Sequence, residues 1–148
     1  MKPVVIHTRE DFESAIKRGF NPLCEDAWRL PMAIDLRREI QREMFGKHNA
    51  QGNARFYKYI IDHKPHVCEE CGRPIRYPSA INVSHILSRG AHPELSFDPR
   101  DVNMLCPEHH SQWENGDREA MRIWEKNKKI IEKLKKETNN KPFIMAMS

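Results

Sequence analysis

Residues 67–113 carry the most constrained pattern in the chain, and they read VCEECGRPIRYPSAINVSHILSRGAHPELSFDPRDVNMLCPEHHSQW. Two pairs of metal-ligand residues lie in them, Cys68-x-x-Cys71 and Cys106-x-x-His109. Structural zinc takes four tetrahedral ligands, and three cysteines with one histidine are a usual set. The short spacing within each pair lets both side chains reach one ion. The sequence therefore predicts a Cys3His zinc site that joins the two ends of the segment.

Two other interpretations of these cysteines stay open, a redox-active C-x-x-C pair and a chance grouping. Redox pairs usually lie near a βαβ pattern, and the sequence shows no such pattern here. The remaining cysteine, Cys24, is predicted to be a small buried hydrophobic residue.

The residues between the two ligand pairs predict the order strand, loop, strand, helix. Ala80 to Ile86 shows partial alternation and β-branched residues, which indicates a short strand. Residues 88–100 are rich in Gly, Pro and Asp and are predicted to form a loop. Val102 to Leu105 is predicted as the second strand. Pro107 then suits the first position of a helix, where its missing N–H leaves no hydrogen bond unmade.

The segment also resembles a known family in its order and spacing. The residues that carry the likeness are Ser-His at 84–85, DVNMLC at 101–106 and CPEHH at 106–110. On these residues it resembles an HNH endonuclease with the ββα-metal fold, and the run GAHPEL at 90–95 resembles the phage Rap/NinG recombination nucleases. The resemblance covers about a third of the chain. It implies an α+β fold and a metal-dependent nuclease.

The resemblance implies a role for each matching residue. His85 corresponds to the general base, and His110 corresponds to a ligand of a catalytic Mg²⁺ or Mn²⁺ ion. Ser84 stands where many relatives have an aspartate ligand of that ion. Asp101 stands at the position of the middle asparagine, which supports the base or contacts the metal. Asn103 lies two residues later and is predicted to face the same side as Asp101, so it joins the catalytic candidates.

Two of these positions depart from the family pattern. The serine hydroxyl at position 84 is a weaker ligand than a carboxylate, because Mg²⁺ prefers hard anionic oxygens. The Asp101 carboxylate can offset this loss, which predicts that Asp101→Ala weakens the metal dependence of cleavage more than Ser84→Ala does. The same departures are also compatible with a degenerate member that does not cut.

The residue types suit phosphodiester hydrolysis by their own chemistry. A neutral imidazole has a pKa near the working pH and can take a proton from water. A hard cation beside the phosphate neutralises the charge that develops there. For His85 the alternative is an ordinary histidine at the end of a strand.

Several basic residues are candidates for nucleic-acid contact. Arg89, beside Gly90, can bind a phosphate, and His92 can touch the substrate; simple solvation is the alternative for Arg89. The predicted helix from Met32 to Phe45 carries three arginines on one side, Arg37, Arg38 and Arg42. These arginines are predicted to contact the phosphate backbone, and the alternative is a solvated helix face.

The flanks are predicted to be helical and to form one globular unit with the centre. Residues 1–66 are assigned to an N-terminal extension, residues 67–115 to the zinc-bearing core, and residues 116–148 to a basic amphipathic helix and tail. The predicted helices are Arg9 to Arg18 with Thr8 as cap, Met32 to Phe45, Arg55 to Asp62, and Asp117 to about Lys136, with a loop over residues 46–52.

Composition limits the class of protein. The chain has 148 residues, of which 31% are charged, and its formal net charge is +4. This charge is compatible with a nucleic-acid partner but does not establish one. The sequence shows no signal peptide and no long apolar run, so a cytoplasmic protein is expected.

The functional prediction is hydrolysis of DNA phosphodiester bonds, with RNA left open as a substrate. The first alternative is a catalytically degenerate, zinc-containing nucleic-acid-binding protein. The second is a zinc-stabilised interaction domain with no nucleic-acid role.

Overall fold

The computed structural model describes residues 6–18 and 34–147, the part from 138 onward by its backbone alone. These ranges contain α-helices and one small antiparallel sheet, as expected of an α+β protein. The elements are α1 (Arg9–Lys17), α2 (Ile34–Phe45), α3 (Ala50–His63), β1 (Val83–His85), β2 (Val102–Met104), α4 (Pro107–Asn115) and α5 (Trp124–Met147). Cys24 lies outside the described residues.

Helix α1 begins with the predicted cap. The Thr8 hydroxyl accepts a hydrogen bond from the Asp11 N–H at 3.2 Å, and the Asp11 carboxylate accepts one from the Thr8 N–H at 3.2 Å. This reciprocal pair satisfies two N–H groups that the first helical turn leaves without partners. The prediction of a capped helix after Thr8 is confirmed.

Helix α3 starts earlier than the sequence predicts. The Asn49 side chain accepts a hydrogen bond from the Gly52 N–H at 2.9 Å and caps the helix at Ala50. The prediction of a loop up to Gly52 is therefore wrong for its last three residues. Phe56 and Ile60 of this helix are buried.

The sheet is a single antiparallel pair. Its register pairs Val83 with Met104, Ser84 with Asn103, and His85 with Val102. The predicted strand from Ala80 is too long, because residues 80–82 form a 3-10 turn. Successive side chains of a strand point to opposite faces, so Ser84 and His85 lie on opposite faces of the sheet.

Two hydrophobic clusters surround this sheet. The first lies between α2, α3 and the sheet, and its buried members are Phe45, Phe56, Ile60, Val83, Phe97, Val102 and Met104. The second lies between the cysteine-bearing turn, α4 and the start of the C-terminal region, with Cys68, Ile86, Leu105, Trp113, Met121 and Ile123 buried. The central segment thus contributes to both clusters.

The C-terminal helix begins later than predicted. Residues 118–120 form a 3-10 turn, and α5 starts at Trp124. The Glu70 carboxylate accepts hydrogen bonds from the N–H groups of Arg122, at 2.9 Å, and Ile123, at 3.0 Å. No helix within the described ranges is both long enough and apolar enough to cross a membrane.

A buried ion network joins the loop before β2 to α5. The Arg100 guanidinium lies 2.7 Å from Asp98 and 2.9 Å from Glu137, and its side chain is 3% exposed. Arg37 of α2 is only 2% exposed and is electrostatically coupled to the same group. The prediction that Arg37 contacts a phosphate backbone is therefore wrong, because its guanidinium lies in the interior. For Arg38 and Arg42, nucleic-acid contact stays a prediction.

Candidate functional site

Four side chains from the two predicted ligand pairs meet at one point. They are Cys68, Cys71, Cys106 and His109, and their ligand atoms all lie within 4.8 Å of one another. Gly72, with φ of +76°, closes the turn that carries the first two cysteines. Cys106 and His109 lie at the start of α4, three residues apart. The group can hold a metal ion such as zinc, as the sequence predicts.

The spacing of these atoms suits a tetrahedral ion. Cys71 Sγ lies 4.0 Å from Cys106 Sγ, and Cys68 Sγ lies 3.7 Å from the Nδ1 of His109. Ligands at about 2.3 Å for sulfur and about 2.0 Å for nitrogen lie roughly 3.5–3.8 Å apart around a tetrahedral centre. The Cys71–Cys106 and Cys68–His109 separations are therefore close to those of a tetrahedral zinc site, whereas Cys106 Sγ and His109 Nδ1 lie closer together, at 3.2 Å.

The thiols of the group differ in their acidity. Burial opposes ionisation of Cys68, but backbone N–H groups outweigh it and lower the pKa of this thiol to about 7. Burial raises the pKa of Cys106, and the neighbouring Cys68 raises it further. Thiolates are the metal-binding form of cysteine, so the lowered pKa of Cys68 favours metal binding by this residue.

The turn between the cysteines is fastened to β2 through Glu69. Its carboxylate accepts hydrogen bonds from the backbone N–H of Met104 and from the Asn103 side chain, the latter at 3.1 Å. Lys64 pairs with the same carboxylate at 3.1 Å. The metal group is therefore held in a fixed position relative to the sheet.

A cavity of about 740 Å³ is lined in part by α4, the helix that also carries His109 of this group. Its polar lining includes His85 from β1, His110 and Glu114 from α4, and Arg89, His92 and Arg118 from the connecting segments. The two histidines that the sequence predicts as base and metal ligand thus line one cavity. His110 and Glu114 also act electrostatically on His85.

The His85 ring is held in a defined orientation. Its Nε2 lies 3.2 Å from the carbonyl oxygen of Ser96, and the ring stacks on Phe56 with centroids 6.0 Å apart. A carbonyl only accepts hydrogen bonds, so Nε2 carries the proton and Nδ1 is left with a lone pair. Burial lowers the pKa of His85, with Arg89 and His110 adding to the effect. The ring is therefore a neutral proton acceptor at neutral pH.

His110 is fixed by a contact outside its own helix. Its Nδ1 contacts the carbonyl oxygen of Ile81, in the turn before β1. Its Nε2 lies 3.0 Å from the carboxylate of Glu114, one helical turn later. His110 directly follows His109, a member of the Cys3His group. The group therefore also fixes the backbone position from which the His110 side chain extends.

Three predicted site residues lie elsewhere. Ser84, Asp101 and Asn103 are at most 1% exposed, and none of them lines the cavity. Ser84 is on the face of β1 opposite His85, and Asn103 is its partner in the register. The structure therefore does not bring Ser84 or Asp101 together with His110, and the predicted ligand set for a catalytic ion needs this correction.

Asp101 instead supports the backbone after β1. Its Oδ1 accepts a hydrogen bond of 2.8 Å from the N–H of Leu87. Burial raises the pKa of Asp101 to about 9, and nearby Asp98 acts in the same direction. Asn103 accepts a hydrogen bond of 2.7 Å from the side chain of Asn127 in α5. Asp101 therefore holds the backbone of Leu87, which lines the cavity, whereas Asn103 joins β2 to α5.

Positive charge lies along the rim of the cavity. Arg89 is exposed, with its guanidinium 5.9 Å from the centroid of the Tyr57 ring. Arg118 lies over Trp113 at 4.5 Å. His92 lies 3.3 Å from Glu94, which orients the ring at the cavity wall. Arg89 and His92 both line the cavity, and their contact with substrate stays a prediction.

Sequence reasoning missed two residues of this cavity, Glu114 and Arg118. Glu114 had a readable signal, because it lies four residues after His110 on a predicted helix and so shares a face with it. Arg118 had no such signal, since its position depends on the 3-10 turn after α4.

No family model matches the chain, and no match was found among curated proteins or among solved structures.

Proposed function

We propose that the chain is a metal-dependent HNH endonuclease that hydrolyses DNA phosphodiester bonds, with His85 as the general base. The observation that carries this proposal is that His85 and His110 line one cavity, and that His110 directly follows His109 of the Cys3His group. Two antiparallel strands followed by a helix that carries the last ligands are also the order expected of a ββα-metal core. We assign structural zinc to the Cys3His group.

In the proposed reaction His85 takes a proton from the attacking water through Nδ1. The hydrogen bond to Ser96 keeps the proton of the ring on Nε2, and the stacked Phe56 restrains the ring plane. Such general-base catalysis contributes roughly 10²–10⁴ to a rate.

The basic residues of the rim position the substrate. Arg89 and Arg118 lie on the cavity lining and offer guanidinium groups that match phosphate oxygens. A divalent ion such as Mg²⁺ or Mn²⁺, when bound, stabilises the charge that develops on the phosphate. His110 is the residue that we expect to hold it.

The second candidate function is nucleic-acid binding without cleavage. The observation that favours it is that Ser84 and Asp101 are buried away from the cavity, so the expected second ligand from the strand is missing. The basic residues that line the cavity would still bind phosphates, and this binding would depend on the salt concentration.

Incubation of plasmid with zinc-loaded protein and Mg²⁺ or Mn²⁺ separates the two functions. The nuclease proposal predicts nicked or linear DNA with wild type and intact DNA with His85→Ala, which should still shift DNA in a gel. If both proteins shift DNA and both leave it intact, the binding function replaces the nuclease. A single-stranded RNA substrate in parallel tests whether the activity is limited to DNA.

A further inference from the structure

Helix α4 presents a histidine and a carboxylate together at the cavity. His110 and Glu114 lie four residues apart, on the same face of the helix. The His110 Nε2 lies 3.0 Å from the Glu114 Oε1, and both residues line the cavity that also contains His85. Glu114 is the one carboxylate among the described residues that line this cavity.

The hydrogen bonding of His110 leaves Nε2 as the ring nitrogen whose lone pair can bind a metal ion. Its Nδ1 contacts the carbonyl oxygen of Ile81, which only accepts, so Nδ1 carries the proton in the neutral ring. The Nε2 lone pair then faces the carboxylate oxygen. A cation between the two atoms would satisfy both acceptors. Metal-binding histidines commonly have their other ring nitrogen bonded in this way.

The distance between the two atoms matches an octahedral ion. Neighbouring ligands at about 2.1 Å from an octahedral centre are about 3.0 Å apart. His110 Nε2 and Glu114 Oε1 have this separation. The Glu114 side chain is 58% exposed, so water can complete the coordination, as Mg²⁺ and Mn²⁺ sites require.

We propose that Glu114 and His110 together bind an octahedral divalent cation at the wall of the cavity, with Glu114 supplying the carboxylate that Ser84 does not. The proposal rests on the proposed nuclease function for its purpose, but the cation site itself needs no substrate. It places both protein ligands on one helix, whereas the sequence-based prediction drew three ligands from β1 (Ser84), the following loop (Asp101) and α4 (His110).

Binding of Mn²⁺ to zinc-loaded protein without DNA tests this site. Electron paramagnetic resonance counts free Mn²⁺ during a titration, and electron spin echo modulation detects a bound imidazole nitrogen. Wild type should bind one Mn²⁺ with a nitrogen signal, and Glu114→Gln should weaken the binding at least tenfold. Glu119→Gln removes the same charge from an exposed position outside the cavity and should bind like wild type.

Two results would overturn the cation site. One is Mn²⁺ affinity of Glu114→Gln within twofold of wild type. The other is no Mn²⁺ binding by wild type, which would leave His110 and Glu114 as a simple ion pair. Glu114→Asp checks that a loss does not come from misfolding: it keeps the carboxylate and should bind Mn²⁺ more tightly than Glu114→Gln. If it binds no better than Glu114→Gln, the carboxylate is not a ligand and the site is rejected.

Cleavage assays on the same proteins distinguish this failure from failure of the nuclease proposal. If Mn²⁺ binding depends on Glu114 but wild type leaves DNA intact, the cation site stands and the nuclease does not. If wild type cuts DNA and His85→Ala does not, while Glu114→Gln keeps its Mn²⁺ affinity, the nuclease stands and the Glu114 site fails.

Discussion

The Nε2 of His85 donates a hydrogen bond to the carbonyl oxygen of Ser96, at 3.2 Å, and this bond decides which nitrogen of the ring can act as a base. The ring is largely buried, and burial lowers its pKa. Arg89 and His110 lower the pKa further, whereas the Ser96 hydrogen bond and Glu114 raise it. The cavity therefore holds His85 neutral under conditions in which an ordinary histidine begins to take up a proton.

The first prediction concerns the pH dependence of cleavage. The rate should rise with pH through a pKa below 6.5, the ordinary value of histidine, and then level off. Arg89→Met should move this limb to higher pH, because a positive charge that lowers the pKa of His85 is removed. Single-turnover rates between pH 5 and 8 measure the position of this rise for wild type and for Arg89→Met. A wild-type cleavage rate that rises with pH only above pH 7 would contradict the assignment of His85 as the base.

The second prediction concerns the buried carboxyl of Asp101. Its pKa in the folded protein is about 9, whereas the unfolded chain loses this proton near 3.8. Between these values the folded state holds one more proton than the unfolded state, so this group lowers the free energy of unfolding as pH rises. Asp101→Asn keeps an oxygen for the Leu87 N–H and cannot ionise.

The Asn variant should therefore gain stability relative to wild type as pH rises, at up to about 1.4 kcal/mol per pH unit. Urea unfolding at pH 5 and pH 8 measures this difference. Parallel stability curves for the two proteins would contradict the raised pKa. Asp101→Ala, which loses the oxygen as well, should be less stable than Asp101→Asn by about 1–3 kcal/mol at both pH values.

The third prediction concerns the ion network of Asp98 and Arg100. Asp98→Ala leaves the buried Arg100 guanidinium with Glu137 but without its nearest carboxylate. The free energy of unfolding should fall by about 3–5 kcal/mol, because one partner of a buried charge pair is lost. Urea unfolding at pH 7 measures the loss, with Asp62→Ala on the exposed face of α3 as a matched control.

Low pH should reduce the loss in free energy of unfolding that Asp98→Ala causes. Arg100 and Arg37 hold the pKa of Asp98 down at about 2, against the effect of burial. The stability that this carboxylate contributes is fully present above 3.8 and is lost as pH falls toward 2. The difference between wild type and Asp98→Ala should therefore shrink by about 2 kcal/mol at the acid end. A constant difference would show that Asp98 does not act through its charge.

The fourth prediction concerns removal of the metal. The turn between Cys68 and Cys71 carries Glu70, which caps the N–H groups of Arg122 and Ile123. Loss of zinc should release this turn and therefore expose those two amides, far along the chain. Hydrogen exchange with and without a chelator measures the change. The amides of α1 should keep their protection, and equal exchange at 122 and 123 in both samples would contradict the coupling.

Local signals in the sequence were sufficient for several elements. The cap at Thr8, the strand at Val102 and the helix at Pro107 each depend on residues within one turn of the chain, and each is confirmed. The Cys3His group was predictable for a similar reason, since ligand spacing restricts metal sites more than it restricts most contacts.

Errors arose where a distant contact decides the structure. Helix α5 starts at Trp124 rather than near Asp117, and the N–H groups just before it are bonded to Glu70. Arg37 is buried beside Asp98 and Arg100, which lie more than 60 positions later in the sequence. Neither contact can be predicted from the residues that neighbour it in the sequence.

The misplaced metal ligands have a different cause. The resemblance places Ser84 beside His85 in one motif, yet adjacent residues of a strand point to opposite faces. The alternating pattern that predicts the strand therefore also indicates that Ser84 and His85 do not share one site. The carboxylate in the cavity, Glu114, follows from helical spacing instead.

The role of His85 as general base is tested most directly by the single-turnover cleavage rate of an end-labelled DNA duplex by zinc-loaded wild type and His85→Ala, at saturating protein and Mn²⁺. The rate of the variant should be at least about 100-fold lower, as expected when a general base is lost, with DNA affinity and zinc content unchanged. Equal rates for the two proteins, or no cleavage by wild type, would contradict this role.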